Sequence, residues 1–313
     1  MKNLLFIISL FLLGAWQANA QNSEIINDTI LIPVSDISLY SILSQPANAE
    51  AIAIIMPGSG PTDHNGNQPG VINNSLKFLA EDLNAKNIAT LRFDKRAINN
   101  SSYEGFKEYD LTIDQYAKDL AQVIEFIKPK NYKKVFLIGH SEGSLISLIA
   151  LQNIKVDGFI SIAGAGQSAD LILKDQLKPK LPPDFYSQVE IIIDSLKMGF
   201  EVKNTPPQLN MLFRPSVQPY LISWFKYNPV ELIKNIKNPI LIVNGTKDIQ
   251  VELNEALLLA KANAKSKLVE VENMNHVLKT IKGDIQENIQ SYTNPKLKIN
   301  IDLINAISNF IKN

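Results

Sequence analysis

Ser141 stands in the run Val135-Phe136-Leu137-Ile138-Gly139-His140-Ser141-Glu142-Gly143-Ser144. A short apolar strand pattern there passes through G-x-S-x-G directly into an apolar helical pattern. Glycines two residues either side leave room for a sharp strand-to-helix turn. Such a turn holds the serine hydroxyl clear of the sheet, at the positive end of the following helix. The chemistry this context suits is nucleophilic attack.

A serine hydroxyl is a poor nucleophile at neutral pH and needs a base. The chain has three histidines. His140 adjoins Ser141, so its side chain should point away, as a packed or hydrogen-bonded neighbour. His64 precedes the serine and is expected to line a pocket wall. His276, in Asn273-Met274-Asn275-His276 after a late strand, is the expected base of a Ser…Asp…His order. Its carboxylate partner is expected to be Asp248, in Asn244-Gly245-Thr246-Lys247-Asp248 after the apolar run Ile240-Leu241-Ile242-Val243. Glu252 is a rival that better suits the start of the next helix, and Asp157 and Asp170 lie in earlier loops. The oxyanion donors are expected to be the backbone N–H of Glu142 and that of Ser59, with Gly60 as the alternative in Gly58-Ser59-Gly60. The region from Gly58 to Gly70 lacks both G-K-[ST] and G-x-G-x-x-G, so nucleotide phosphate binding is not expected.

The elements that must position these residues follow from periodicity. Residues 24–32 and 36–44 alternate around Pro33 to Asp36 and read as a hairpin. Continuous apolar runs at 51–56, 88–93, 133–138, 156–163, 239–244 and 267–272 read as buried strands. Helical spacing occupies 75–86, 112–127, 142–152, 252–263 and 301–312. This alternation predicts an α/β fold with parallel strands and helices on both faces. Residues 167–228 break it with proline-separated helical stretches at 169–177, 183–198, 206–213 and 218–225. An insertion there would lie over the carboxyl ends of the strands as a helical cap, with the core formed by 21–166 and 229–313. Phe185, Met198, Phe200, Met211, Phe213, Trp224 and Phe225 are its apolar candidates, of which Phe213 and Trp224, with His64, are expected to line the pocket.

Composition bounds the rest. The 313 residues carry 31 basic and 31 acidic side chains, with no basic run suited to nucleic acid. The first 20 residues read as a cleaved leader: Lys2, the apolar stretch from Leu4 to Leu13, then Ala18-Asn19-Ala20 before Gln21. That stretch is short for a bilayer span, so no membrane anchor is expected in the mature chain. The absence of cysteine excludes disulfides and thiolate metal sites. Together these features predict an exported protein, periplasmic or secreted.

The elbow Gly139-His140-Ser141-Glu142-Gly143, the loop Pro57-Gly58-Ser59-Gly60-Pro61-Thr62-Asp63, Leu91-Arg92-Phe93-Asp94-Lys95-Arg96, Asn244-Gly245-Thr246-Lys247-Asp248 and Asn275-His276 together resemble the α/β-hydrolase superfamily. The similarity is to its serine aminopeptidase-like branch, with monoacylglycerol-lipase-like and cinnamoyl-esterase-like enzymes. The resemblance implies an eight-stranded, mostly parallel sheet and a Ser–Asp–His hydrolase with no metal or cofactor. Its small-molecule substrate would be an acyl ester. One departure concerns the segment after Asp94-Lys95-Arg96. Relatives carry a glycine-rich sequence there, whereas this chain reads Ala97-Ile98-Asn99-Asn100-Ser101. The expected function is a carboxylesterase acting through an acyl-enzyme. An N-terminal-trimming peptidase, a polysaccharide acetyl or feruloyl esterase and an inactive binding module are the alternatives. The acyl group and the oligomeric state are not legible in the sequence.

Overall fold

A computed structural model describes residues 24–313. The leader expected over 1–20 and the start expected near Gln21 lie outside the described residues. The two alternating segments form β1 (Ile25–Val34) and β2 (Ile37–Pro46), an antiparallel hairpin. The apolar runs form β3 (Ala51–Met56), β4 (Ala89–Phe93), β5 (Lys134–His140), β6 (Gly158–Ile162), β7 (Ile240–Gly245) and β8 (Lys267–Val271). All eight join one sheet in the order β1-β2-β4-β3-β5-β6-β7-β8. β2 runs antiparallel to β4, and every pair beyond β4 is parallel.

The helices of the first half are α1 (Ser75–Ala85), α2 (Ile113–Ile127) and α3 (Glu142–Ala150). After β6 come α4 (Ala169–Leu177), α5 (Pro183–Lys197), α6 (Asn210–Phe213), α7 (Gln218–Phe225) and α8 (Pro229–Lys234). The chain closes with α9 (Leu253–Ala262), α10 (Ile285–Ser291) and α11 (Ile301–Lys312). α2 starts where its cap says it should. The Thr112 side chain accepts from the Gln115 amide while the Gln115 side chain accepts from the Thr112 amide, a reciprocal capping box.

Strand side chains alternate between two cores, as a pleated strand requires. Ile52, Ile54, Leu137, Phe159 and Ile242 pack with α2, α3, α8 and α9. Ala53, Ile55, Ile138, Ile160 and Val243 pack on the other face with α1 and α11. Both faces are therefore covered, which is why the strands read as unbroken apolar runs. β3 has β4 on one side and β5 on the other, so the order of winding reverses between β3 and β5. Open α/β sheets leave a crevice at the carboxyl ends of strands at such a switch point.

The segment 167–228 contains α4 to α7 and has a small apolar core of its own, centred on Val189, Ile193, Leu196, Phe213 and Phe225. The stretch expected as one helix over 206–213 is instead a 3-10 turn, Pro207–Leu209, followed by the single turn of α6. Two successive prolines at its start remove the amide donors a longer helix would use. α8 and α10 were not legible in the sequence. α10 inverts the usual pattern: Ile285 and Ile289 are exposed while Asn288 and Ser291 are buried.

Candidate active site

Ser141 follows β5 directly and caps α3 in a conformation few residues adopt, φ 55° and ψ −123°. Its surroundings enforce that turn. The Ser141 amide donates to the Ile162 carbonyl of β6 at 2.9 Å, and its carbonyl accepts from the Ser144 amide at 2.9 Å. A Cβ at Gly139 would sit 2.5 Å from the Gly143 carbonyl oxygen, and one at Gly143 2.4 Å from that of Met56. The two glycines are thus required by close backbone approach.

The loops after β7 and β8 bring His276 and Asp248 together. The amides of Thr246 and Lys247 donate to the Val271 and Met274 carbonyls at 3.1 and 3.0 Å. A Cβ at Gly245 would lie 2.0 Å from the Met274 carbonyl oxygen, so only glycine permits this join. His276 Nδ1 donates to Asp248 Oδ2 at 2.8 Å, which leaves its Nε2 as an acceptor. Asp248 Oδ1 accepts from the Gln250 and Val251 amides at 2.8 and 2.9 Å. The carboxylate is thereby held by three donors with its side chain fully buried. Glu252 is the N-cap position of α9. No hydrogen bond closes between the Ser141 hydroxyl and His276, a contact that tightens when substrate is held in such sites.

Sequence reasoning missed how His276 is supported. Asn275 Nδ2 donates to Asn288 Oδ1 and Ser291 Oγ on α10 at 2.8 and 2.7 Å. Asn288 Nδ2 in turn donates to the Lys247 carbonyl at 2.7 Å, so α10 braces both loops. The buried polar positions of this helix, 288 and 291, were the only signal, and they read as surface. His140 Nε2 donates to the His276 carbonyl at 2.8 Å, and the two rings lie 5.0 Å apart. Burial pushes the His140 imidazole down to about 4, helped by the neighbouring His276 and resisted by its hydrogen bond and by Asp248. It is neutral at pH 7.

Ser141 opens into a cavity of about 710 Å³ between the sheet edge and helices α4, α6 and α7. Ser59 and Gly60 line one wall beside Ser141 and Glu142. The loop they belong to touches the elbow, since a Cβ at Gly58 would sit 3.2 Å from that of Ser141. Among the described residues neither the Ser59, the Gly60 nor the Glu142 amide donates to a protein acceptor. The opposite walls are apolar, with Leu145, Ile172, Leu173, Leu221 and Trp224.

Of the three side chains expected on the cavity wall, Trp224 lies there. His64 does not: its ring Nδ1 and its amide both bond Asp94 Oδ1, at 2.7 and 2.8 Å, and its Nε2 accepts from Asn65. Phe213 is also elsewhere, fully buried in the core of the 167–228 segment. α6 turns it inward because that segment has an interior of its own to fill. Met211, two residues earlier, is on the cavity wall instead.

The departing segment after Arg96 forms a closed turn. Ala97 has φ 66° and its amide bonds the Ser101 carbonyl at 3.1 Å, while Ser101 Oγ donates to the Asp94 carbonyl at 2.9 Å. A non-glycine residue thus takes the left-handed conformation, and Ala97 and Ile98 reach the cavity wall.

Comparison with known proteins agrees with this architecture. Est1E from Butyrivibrio proteoclasticus superposes with a TM-score of 0.57 at 17% identity, over 91% of this chain and 99% of that one. An esterase of Pyrococcus furiosus superposes with a TM-score of 0.58 at 16% identity, over 92% of this chain and 90% of that one. The chain has the α/β-hydrolase fold. The family described as serine aminopeptidase, S33, matches residues 71–213 of this chain, a span that carries Ser141 but neither Asp248 nor His276. Esterase EstD of Thermotoga maritima is 25% identical over 230 residues, 72% of this chain. The chain spans about half the length of that relative, 54%.

Proposed function

We propose that this α/β-hydrolase is a serine carboxylesterase that cleaves esters of small or medium acyl groups. Ser141 is the nucleophile, His276 its base, and Asp248 the carboxylate that holds the His276 tautomer and stabilises the imidazolium. The Ser141 hydroxyl attacks the ester carbonyl as its proton passes to His276 Nε2. The amides of Glu142 and Ser59 hold the oxyanion, with Gly60 adjacent. His276 returns the proton to the departing alcohol, and water activated by the same ring then releases the acid.

The observation that carries ester over peptide is the state of the cavity's carboxylates. Glu108 and Glu142 are the acidic residues on its wall. Glu108 is bonded to Arg214 and Ser216, and Glu142 to Tyr220, with Lys95 beside it. Neither is free to grip a substrate ammonium, whereas the apolar wall suits an acyl chain. Similarity to EstD supports the same reading. Ferulic acid is bound in one structure of Est1E, so a feruloyl ester belongs in the substrate panel. The leader pattern at 1–20 supports export to the periplasm or beyond. Among the described residues no helix is long and apolar enough to cross a membrane.

The test compares p-nitrophenyl esters of two to twelve carbons and methyl ferulate with aminoacyl-p-nitroanilides. Ester turnover should dominate and vanish in Ser141→Ala, along with fluorophosphonate labelling. Faster turnover of the anilides would assign the site to N-terminal trimming. An active, labelled Ser141→Ala would dismiss the site itself.

A further inference from the structure

Three consecutive charged residues, Asp94, Lys95 and Arg96, are all buried just after β4, Lys95 to 1% exposure. Burying an ammonium is costly unless its protons are taken up. Asp94 is occupied by His64, and Arg96 binds Asp119 through two bonds, at 2.9 and 2.8 Å. Lys95 is spent differently. Its Nζ donates to the Gly58 carbonyl at 2.6 Å and to the Gly60 carbonyl at 3.1 Å. The carboxylate beside it, Glu142, stays 3.6 Å away, and that Glu142 oxygen has no hydrogen-bond partner among the described residues. Glu142 thus offsets the ammonium's charge as an ion pair but takes up none of its protons. The ammonium instead holds the backbone of the loop beside the nucleophile.

Peptide geometry gives those bonds a consequence. A trans peptide points its C=O and N–H in opposite directions. Holding the Gly58 carbonyl therefore orients the Ser59 N–H away from Lys95. Gly60 precedes Pro61, which has no N–H, so the second bond clamps the loop without aiming a donor. The carbonyl between them, that of Ser59, is held by Thr62 Oγ1 at 2.7 Å and Gln68 Nε2 at 3.1 Å. All three carbonyls are tied, and the Ser59 and Gly60 amides are left over. The brace is itself anchored to α7 and α2: Tyr220 of α7 donates its hydroxyl to Glu142 Oε1 at 2.7 Å, and Lys95 lies over the ring of Tyr116 on α2 at 4.9 Å.

We infer that Lys95 is a positioning residue that aims the oxyanion donors of the Gly58–Gly60 loop, and that Tyr220, through Glu142, seats it from α7. This inference rests on the serine-hydrolase reading of Ser141. It does not depend on the substrate being an ester, because any tetrahedral adduct of Ser141 uses the same donors.

The test measures the second-order rate of Ser141 labelling by a fluorophosphonate, and kcat and KM on the best p-nitrophenyl ester. Lys95→Met should slow labelling and lower kcat by about 10- to 100-fold, part of the effect of losing one donor outright, with KM within about two-fold. Tyr220→Phe should give the same signature at about three- to ten-fold. Lys95→Ala should recover with propylammonium but not with propanol, because a hydrogen-bonding cation and not bulk is what the loop lacks. Should Lys95→Met fail to fold, Lys95→Met/Glu142→Gln removes both charges together and is compared with Glu142→Gln alone. Unchanged labelling in the Lys95 variants, a rise confined to KM, or equal rescue by propanol would overturn the inference. Wild-type labelling without ester turnover would sink the ester reading and leave the Lys95 result standing. A wild-type chain that never labels would overturn both.

Discussion

His140 should make the stability of this protein fall with acid in a way a single substitution removes. Unfolded, its imidazole takes up a proton near pH 6.5; folded, burial and the neighbouring His276 delay that to about pH 4. Between these values the unfolded chain binds more protons than the folded one, so stability falls as pH falls from 6.5 toward 4. At about 1.4 kcal/mol per pH unit, the loss accumulates to about 3 kcal/mol by pH 4. At roughly 2.1 cal/mol/K of unfolding entropy per residue, that corresponds to about 5 °C of Tm for a chain of this length. His140→Gln keeps an amide donor for the His276 carbonyl and cannot be protonated. Urea unfolding of both proteins at pH 7 and pH 4 isolates the effect, because every other ionisable side chain is common to the two. The variant should lose about 3 kcal/mol less than wild type over that interval. Parallel losses would refute the reasoning and mean that His140 is hydrated or paired in solution. The same neutrality serves the proposed chemistry, since a charge 5.0 Å from His276 would oppose the imidazolium.

Gly143→Ala should cost about 3 kcal/mol or more in urea midpoint analysis, because its Cβ meets backbone oxygens of Met56 and Pro57 rather than a movable side chain. A variant as stable as wild type would show that the elbow is looser than described. Asp248→Asn should lower kcat by about 10⁴-fold with little change in fold, by loss of the correct His276 tautomer; circular dichroism and p-nitrophenyl ester kinetics check both halves. Trp224→Ala, on the cavity wall, should move the preferred acyl chain to greater length, read as the ratio of kcat/KM for C8 and C4 esters. An unchanged ratio would place the acyl group on another wall.

Much of the scaffold was legible because its signals are local. The buried strands are continuous apolar runs, and the helical spacing over 112–127 contains α2. α10 was not legible, because its polar residues face inward to brace Asn275 and its isoleucines face out. His64 looked like a pocket residue because a loop histidine after β3 is near the site in sequence. The structure gives it to Asp94, thirty residues on.

By itself the sequence determined the alternating layers, the glycines that admit the elbow and the chain order of serine, aspartate and histidine. Each of these depends on backbone sterics or on a period of a few residues. Only the tertiary structure decided which faces of α4, α6 and α7 line the cavity, so that Trp224 and Met211 are on its wall while Phe213 is not. It alone turned Lys95 from one charge among three into the holder of two loop carbonyls. Helical periodicity says that a helix has an apolar side but not what that side will meet. Nor can a charge's partners be read from spacing when they come from three separate segments of the chain.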